Sequence, residues 1–520
     1  MHAPTARSSR PRRPLLAALA GLALPAAPTV ALLLGPSCDG AEPSEPPRPP
    51  PTVTREEPAA PPVVAEAPGQ PAAPAPADGS AAPAPATKEE ARPQPIGVRL
   101  AARTILAYSA PRYGSDMRGR IDLGNTFSIY GMVEGTGCSG EGWAQVDHDS
   151  YACLKNAVAD ATPPVQRPVV PEGLLVPYIY AKPKADRKGN LLAEVPRYRN
   201  RAALLAGKEP VDFLVANRQY AFVEELEIPG HGEFLRDEDD QLVPTAELKY
   251  EKPSEFHGRE LAERPLLDGL TAAWAISREA DLRREPKLKA KIEGRLEYHQ
   301  ALDVKPEVQR GGGSRWIEIP DALGPGVTGY VEADKVRVWT PGLAQDDLGA
   351  DEVWIDVDLG QQILAVMKGQ SPTYLTLVSS GTGHKPNTAT PKGLYRIRNK
   401  LAYGPMRNRP EDAEDSPYHV EAVPWVQYFY KRFALHGAYW HDGFGHRKSH
   451  GCVNLAPQDA KYVFEHTGPN LPPGWMSTYE HADRPGSVVR VRKGLEPVPD
   501  RRTEHDTGPD DAPLLARADG

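Results

Sequence analysis

No Cys-x-x-Cys pair occurs in the 520 residues, and the four cysteines, Cys38, Cys138, Cys153 and Cys452, stand far apart. A structural zinc site therefore has little support. A Lys/Arg-dense stripe with interleaved aromatics is also missing, and the formal charge of -8 is spread over mixed-sign segments, which argues against nucleic acid as a partner. The apolar stretch 15–35 is broken by Pro25 and Pro28, so a stable transmembrane span is not supported. Hydrophobic residues make up 40% of the chain, but 57 prolines and 46 glycines exceed ordinary usage and must gather where no core forms. A chain this long exceeds one core, and a prior of about 150 residues per domain suggests roughly two to four units.

Arg7, Arg10, Arg12 and Arg13 precede the apolar stretch, and residues 1–37 together read as an export signal. The run Leu33-Leu34-Gly35-Pro36-Ser37-Cys38 resembles a bacterial lipoprotein cleavage box, with Cys38 as the lipidated residue; plain cleavage and release is the alternative. Either outcome places the mature chain outside the cytoplasm, in the periplasm or cell envelope, and the first adds a membrane tether. Residues 38–95 are rich in Pro, Ala and Glu and have almost nothing to bury, so they read as a disordered linker whose role is reach.

Residues 96–160 break into short strand-like runs between turn signals, which predicts a small β-barrel. Its Gly142-Trp143 strand ahead of a closing strand at 151–154 is similar to bacterial SH3-like modules. Cys138 and Cys153 flank that strand, and a bridge between them in an oxidising compartment would contribute about 3 kcal/mol. Residues 165–345 are β-rich without an assignable fold, except that 285–340 echoes the first barrel and reads as a second SH3-like unit. Such modules serve either as spacers or as binders of wall peptide or glycan.

From residue 350 the pattern sharpens. Val353, Ile355, Val357 and Leu359 alternate with Trp354, Asp356 and Asp358, which predicts a half-buried strand. Turns at Gly360-Gln361-Gln362 and Lys368-Gly369-Gln370 lead into strands at 363–367 and 374–380, an antiparallel meander. A strand at 488–491 and a helix at 458–466 complete a β-sandwich or barrel over 350–494. Residues 495–520 are charged and turn-rich, which predicts a disordered tail. The fold class expected is mainly β and multidomain: small SH3-like barrels followed by a catalytic β-domain with few short helices.

Chemistry concentrates at His436-Gly437 and at Ser449-His450-Gly451-Cys452-Val453-Asn454. A thiol is a weak nucleophile until it loses its proton, and an imidazole in reach can take that proton and later return it to a leaving amine. Cys452 is thus the candidate nucleophile and His436 its base. Gly451 lets a substrate approach the backbone, and N–H groups around Gly451 and Cys452 suit an oxyanion. Ser449 and Asn454 are candidates for bracing the loop, with His450 beside them.

These residues, with Gln361-Gln362 and Thr390-Pro391-Lys392-Gly393 upstream, resemble the L,D-transpeptidase signature. The resemblance implies a β-rich fold that acylates its cysteine with a peptidoglycan stem peptide and transfers the acyl group to an amine, giving a 3→3 cross-link or an attached wall protein. It also implies that the Gly437 carbonyl orients the His436 ring. Hydrolysis by the same Cys/His pair, as an L,D-carboxypeptidase or endopeptidase, and a non-catalytic wall-binding scaffold are the alternatives. This chemistry calls for no metal and no cofactor. His441 competes for the base role, His446 and His450 have metal-like spacing in a turn-rich loop, and Tyr439 and Trp440 either wall a groove or pack beneath it. The acidic run Glu411–Asp415 reads as a solvated loop.

Overall fold

Trp143 and Trp316 show how the upstream chain is built. Each indole is buried, and its N–H donates to a main-chain carbonyl, Thr136 at 3.0 Å and Gly311 at 2.9 Å. In a computed structural model that describes residues 94–384, 388–407 and 419–503, each tryptophan centres a unit with the same strand order. Gly97–Ala101 lies between Thr126–Ile129 and Ala157–Asp160, and Thr271–Ala275 lies likewise between Ala301–Val304 and Val336–Val338. A second sheet in each unit places Ile105–Tyr108 beside Ser150–Cys153, or Asp281–Arg283 beside Gly329–Glu332. A one-turn 3-10 helix, Leu154–Asn156 or Ala333–Lys335, precedes each closing strand.

The second unit thus begins at Thr271, earlier than the expected 285, because its first strand, Thr271–Ala275, is buried throughout and shows no alternation. A third copy of the first-strand arrangement appears in the region left unassigned, where Ile179–Pro183 lies between Arg218–Phe222 and Leu248–Tyr250. Cys138 and Cys153 form a disulfide with a Cα–Cα distance of 5.6 Å. The expected export signal, Cys38, nearly all of the 38–95 linker and the Glu411–Asp415 run lie outside the described residues.

The C-terminal part is a sandwich whose strands are numbered from its start. One sheet has β1 (Val353–Asp358), β2 (Ile363–Lys368), β3 (Ser371–Leu377) and β4 (Gly393–Arg396). The other has β5 (Asn399–Arg407), β6 (His419–Tyr430), β7 (Phe433–Gly437), β8 (Val453–Leu455) and β9 (Ser477–Tyr479), and β10 (Val488–Arg492) returns to the first sheet between β1 and β4. Ile355, Val357 and Val489 of one sheet meet Val426, Leu435 and Val453 of the other in one core, joined by Val463 of the helix Pro457–His466.

β1 is not half-buried. Its second face, carrying Trp354, Asp356 and Asp358, is covered as well, because the second barrel and the chain after it lie across it. Trp354 packs with Trp274 and Trp339, and the two carboxylates are matched by arginines of the neighbouring strand. Arg490 Nε is 2.7 Å from Asp356, and Arg492 bridges Asp356 at 2.9 Å and Asp358 at 2.8 Å, with Thr340 O capping its guanidinium at 2.7 Å. A buried charge needs such a partner to be tolerated.

Upstream units also extend both sheets. Arg218–Phe222 pairs in parallel with β6, and Arg259–Glu260 adds an antiparallel edge to β3. Trp475, next to β9, is buried in the core of the first barrel, and Gly119 permits that contact, since a Cβ there would lie 2.2 Å from Ser477 O. Residues 495–503, expected to open a disordered tail, are instead held for a related reason. β4 is an open sheet edge, and Leu394 N–H donates to Pro499 O at 2.9 Å while Arg501 N–H donates to Leu394 O at 2.8 Å. Among the described residues no helix is long and apolar enough to cross a membrane.

Removing Asp356 takes from the buried Arg490 its carboxylate partner and leaves Arg492 with Asp358 alone. Asp356→Ala is expected to cost about 3–5 kcal/mol, read as a lower denaturation midpoint against the unsubstituted chain.

Candidate active site

β7 and β8 run side by side in parallel, with Leu435 opposite Val453 and His436 opposite Asn454. This register carries Cys452, the residue just before β8, to the level of Ala434 on the strand that bears His436. The thiol faces the Arg432 carbonyl at 3.7 Å. Burial pushes the Cys452 thiol up, opposed by the Ala434 N–H and the Arg432 charge.

His436 is 3% exposed, and its Nδ1 lies 3.1 Å from the Gly437 carbonyl. A carbonyl can only accept, so Nδ1 carries the proton and Nε2 keeps its lone pair. Burial pushes the ring down to about 4, so it is neutral near pH 7. The Trp440 ring lies beside it at 5.8 Å. Tyr439, by contrast, is fully buried and stacked on Tyr180 at 3.4 Å, so of the two groove candidates it belongs to the packing.

The nucleophile loop is held by main-chain and hydroxyl contacts. Ser449 Oγ donates to Cys452 O and accepts from Gly451 N–H at 3.0 Å, closing a tight turn ahead of the thiol. That bond uses the Gly451 N–H. Thr390 Oγ1 donates to Gly451 O at 2.7 Å and accepts from Gly381 N–H at 2.9 Å. Buried Gln362 fixes the neighbouring strand end, accepting from Ser380 N–H and donating to Ser380 Oγ, both at 2.8 Å. Ser380 O in turn accepts from Lys448 and Ser449 N–H. Thr390 and Gln362 stand in stretches the sequence marked, but nothing there assigned them a role. His450 is exposed on the same loop.

His441 is committed on both nitrogens. Gly443 N–H donates to its Nδ1 at 3.2 Å, so the neutral ring carries its proton on Nε2, and the Asn454 amide 3.0 Å away meets that N–H with its oxygen turned toward the ring, the atom otherwise left without a partner. Burial, then Lys448 and His436, push it down to about 3. It lies against Asn454, the register partner of His436. His446 Nε2 lies 2.9 Å from Ile276 O on the second barrel. Among the described residues, the His/Asp grouping with ligand atoms within 4.8 Å of one another is Asp149, His481 and Asp483, none of which belongs to the Cys452 loop.

Gly451 is in the left-handed region at φ +127°, and a Cβ there would lie 2.4 Å from the Phe433 ring. Gly451→Ala is expected to destabilise by about 1–3 kcal/mol in denaturant melts and to slow thiol labelling of Cys452 as the turn shifts.

Comparison with known proteins bears on the same stretch. Residues 352–491 match the family described as YkuD, L,D-transpeptidase catalytic domain. YciB of Bacillus subtilis strain 168, which carries a provisional L,D-transpeptidase description, is 28% identical over 143 residues, covering 24% of this chain and 68% of that protein. A crystal structure of an Enterococcus faecium L,D-transpeptidase mutant is 23% identical with a TM-score of 0.21, covering 27% of this chain and 50% of that one. L,D-transpeptidase 3 from Mycobacterium tuberculosis is 18% identical with a TM-score of 0.22, covering 34% of this chain and 78% of that one. Scores this low carry no argument of their own, and this chain spans only half of the E. faecium structure. The family match is confined to residues 352–491, which resemble the L,D-transpeptidase catalytic domain.

Proposed function

We propose that the chain is an exported peptidoglycan L,D-transpeptidase that works through a cysteinyl thioester. The observation that carries this reading is the buried His436, whose Nδ1–H is held by its own Gly437 carbonyl, leaving Nε2 as acceptor on the strand beside Cys452. The raised thiol and lowered imidazole favour a neutral resting pair. Attack and proton transfer are therefore coupled: Cys452 Sγ bonds to the stem-peptide carbonyl carbon as its proton passes to His436 Nε2. The tetrahedral oxyanion is met by the Cys452 N–H. Collapse breaks the C–N bond, His436 returns the proton to the departing amine, and a thioester remains. An acceptor amine then attacks the thioester carbon and gives its proton to His436; the C–S bond breaks, and the sulfur takes that proton from His436 to leave as the thiol.

Export through residues 1–37, with Cys38 as a lipid anchor, and wall binding by SH3-like barrels at 96–160 and 271–338 belong to the same reading. The repeated strand order and the buried tryptophans support the likeness of the two barrels to each other.

Intact-mass analysis of the full chain with tetrapeptide muropeptides tests the proposal. A cross-linked dimer is expected, formed through an acyl adduct absent in Cys452→Ala; tripeptide alone would instead indicate a carboxypeptidase. His436→Ala is expected to lower carbapenem acylation roughly 10²–10⁴-fold. Only the unprotonated ring can accept a proton, so the acylation rate of the unsubstituted chain should hold as pH falls through 6.5 and decline as pH approaches about 4. A decline already centred near 6.5 would contradict the role of the buried ring.

A further inference from the structure

A cavity of about 810 Å³ lies between residues 252–264, the second barrel and the sandwich loop at Asp442, and no step of the proposed reaction uses it. Its walls combine aromatic faces with charges of both signs. Arg278 sits 4.9 Å over the Tyr298 ring, and Tyr298 stacks on His299 at 3.9 Å. Lys252 and Glu263 are exposed at its edge. A neutral sugar needs no such array of opposite charges, whereas a short peptide with carboxylates and a free amine is matched by it.

The cavity is joined to the active site through one residue. Ser254 Oγ donates to the Asp442 carboxylate, and Tyr298 OH donates to the Asp442 carbonyl at 2.9 Å. Asp442 directly follows His441, which holds Asn454 opposite His436. The second barrel grips the same loop again, as His299 Nε2 meets Phe444 O at 3.3 Å and Arg337 Nε donates to Gly445 O at 2.9 Å.

We propose that this cavity is a second peptide site, taking a zwitterionic stem peptide with its carboxylates toward Lys252 and Arg278 and its amine toward Glu263 and Asp442. An occupant touching Tyr298 and Asp442 bears on the loop that places His441. The identification of the peptide as a wall stem rests on the proposed transpeptidase reading; the charge pattern of the site does not.

The test is calorimetric titration of the full chain with a synthetic stem tetrapeptide bearing a free diamino-acid amine, after Cys452 has been blocked with a carbapenem. Binding is expected to persist in the blocked protein and to weaken roughly tenfold or more in Arg278→Ala and in Glu263→Gln, while both variants keep the unsubstituted rate of carbapenem acylation. No binding to the blocked protein, binding that both substitutions leave unchanged, or binding of a peptide-free glycan strand in place of the peptide would overturn the proposal. Failure of the carbapenem to react would count against the Cys452 reading instead. The cavity is then decided by the same titration in Cys452→Ala, with and without Arg278→Ala.

Discussion

Parallel pairing of β7 with β8 is the constraint from which the site follows. Parallel neighbours cannot be joined by a tight hairpin, so the chain between them must cross over, and here residues 438–452 make that crossing largely without regular structure. A ladder that short sets the level of Cys452 and His436 but cannot hold so long a connection in one place. The remaining features answer that need. Ser449 folds the turn before the thiol, Thr390 and Ser380 pin it from the first sheet, and Gln362 pins Ser380. The far half of the crossing is gripped by Arg337, His299 and Ile276 of the second barrel.

The upstream units are therefore more than beads on a tether. The first barrel takes Trp475 into its core, the middle unit extends β6, and the second barrel covers the outer face of β1–β3. Burying one large apolar side chain such as Trp475 is worth roughly 1.5–3 kcal/mol, so docking through several such contacts makes the described part a connected structure. Asp459 illustrates the connection: on the sandwich helix, it accepts from Tyr374 OH at 2.6 Å and from Gly258 N–H of the preceding segment at 2.7 Å. Burial pushes its carboxyl up to about 6.

How much of this was legible in the sequence depended on whether the signal was local. The meander β1–β3, the helix at 458–466 and the hexamer around Cys452 are written in short-range periodicity and motif, and they were readable. β5 and β6, the longest strands, were not, since Pro405 and Pro424 interrupt their patterns and β6 bulges against both neighbours. Alternation in β1 suggested a wet face because Asp356 and Asp358 are charged, and only the arginines on a strand distant in sequence make that face dry. Thr271–Ala275 carries no signal for the opposite reason: a strand buried on both faces has no alternation to read. Thr390 acts through Gly451, 61 residues along the chain, and spacing carries no trace of such a contact.

Because burial raises the thiol of Cys452 and lowers the imidazole of His436, the pair carries no charge when no substrate is present. Oxidation to sulfenic acid and capture by stray electrophiles both proceed through thiolate. A cysteine kept as the thiol is slower to oxidise than a thiolate in the same place. In the proposed reaction the thiol gives up its proton only as a carbonyl is attacked, so the burial that slows the resting nucleophile also preserves it.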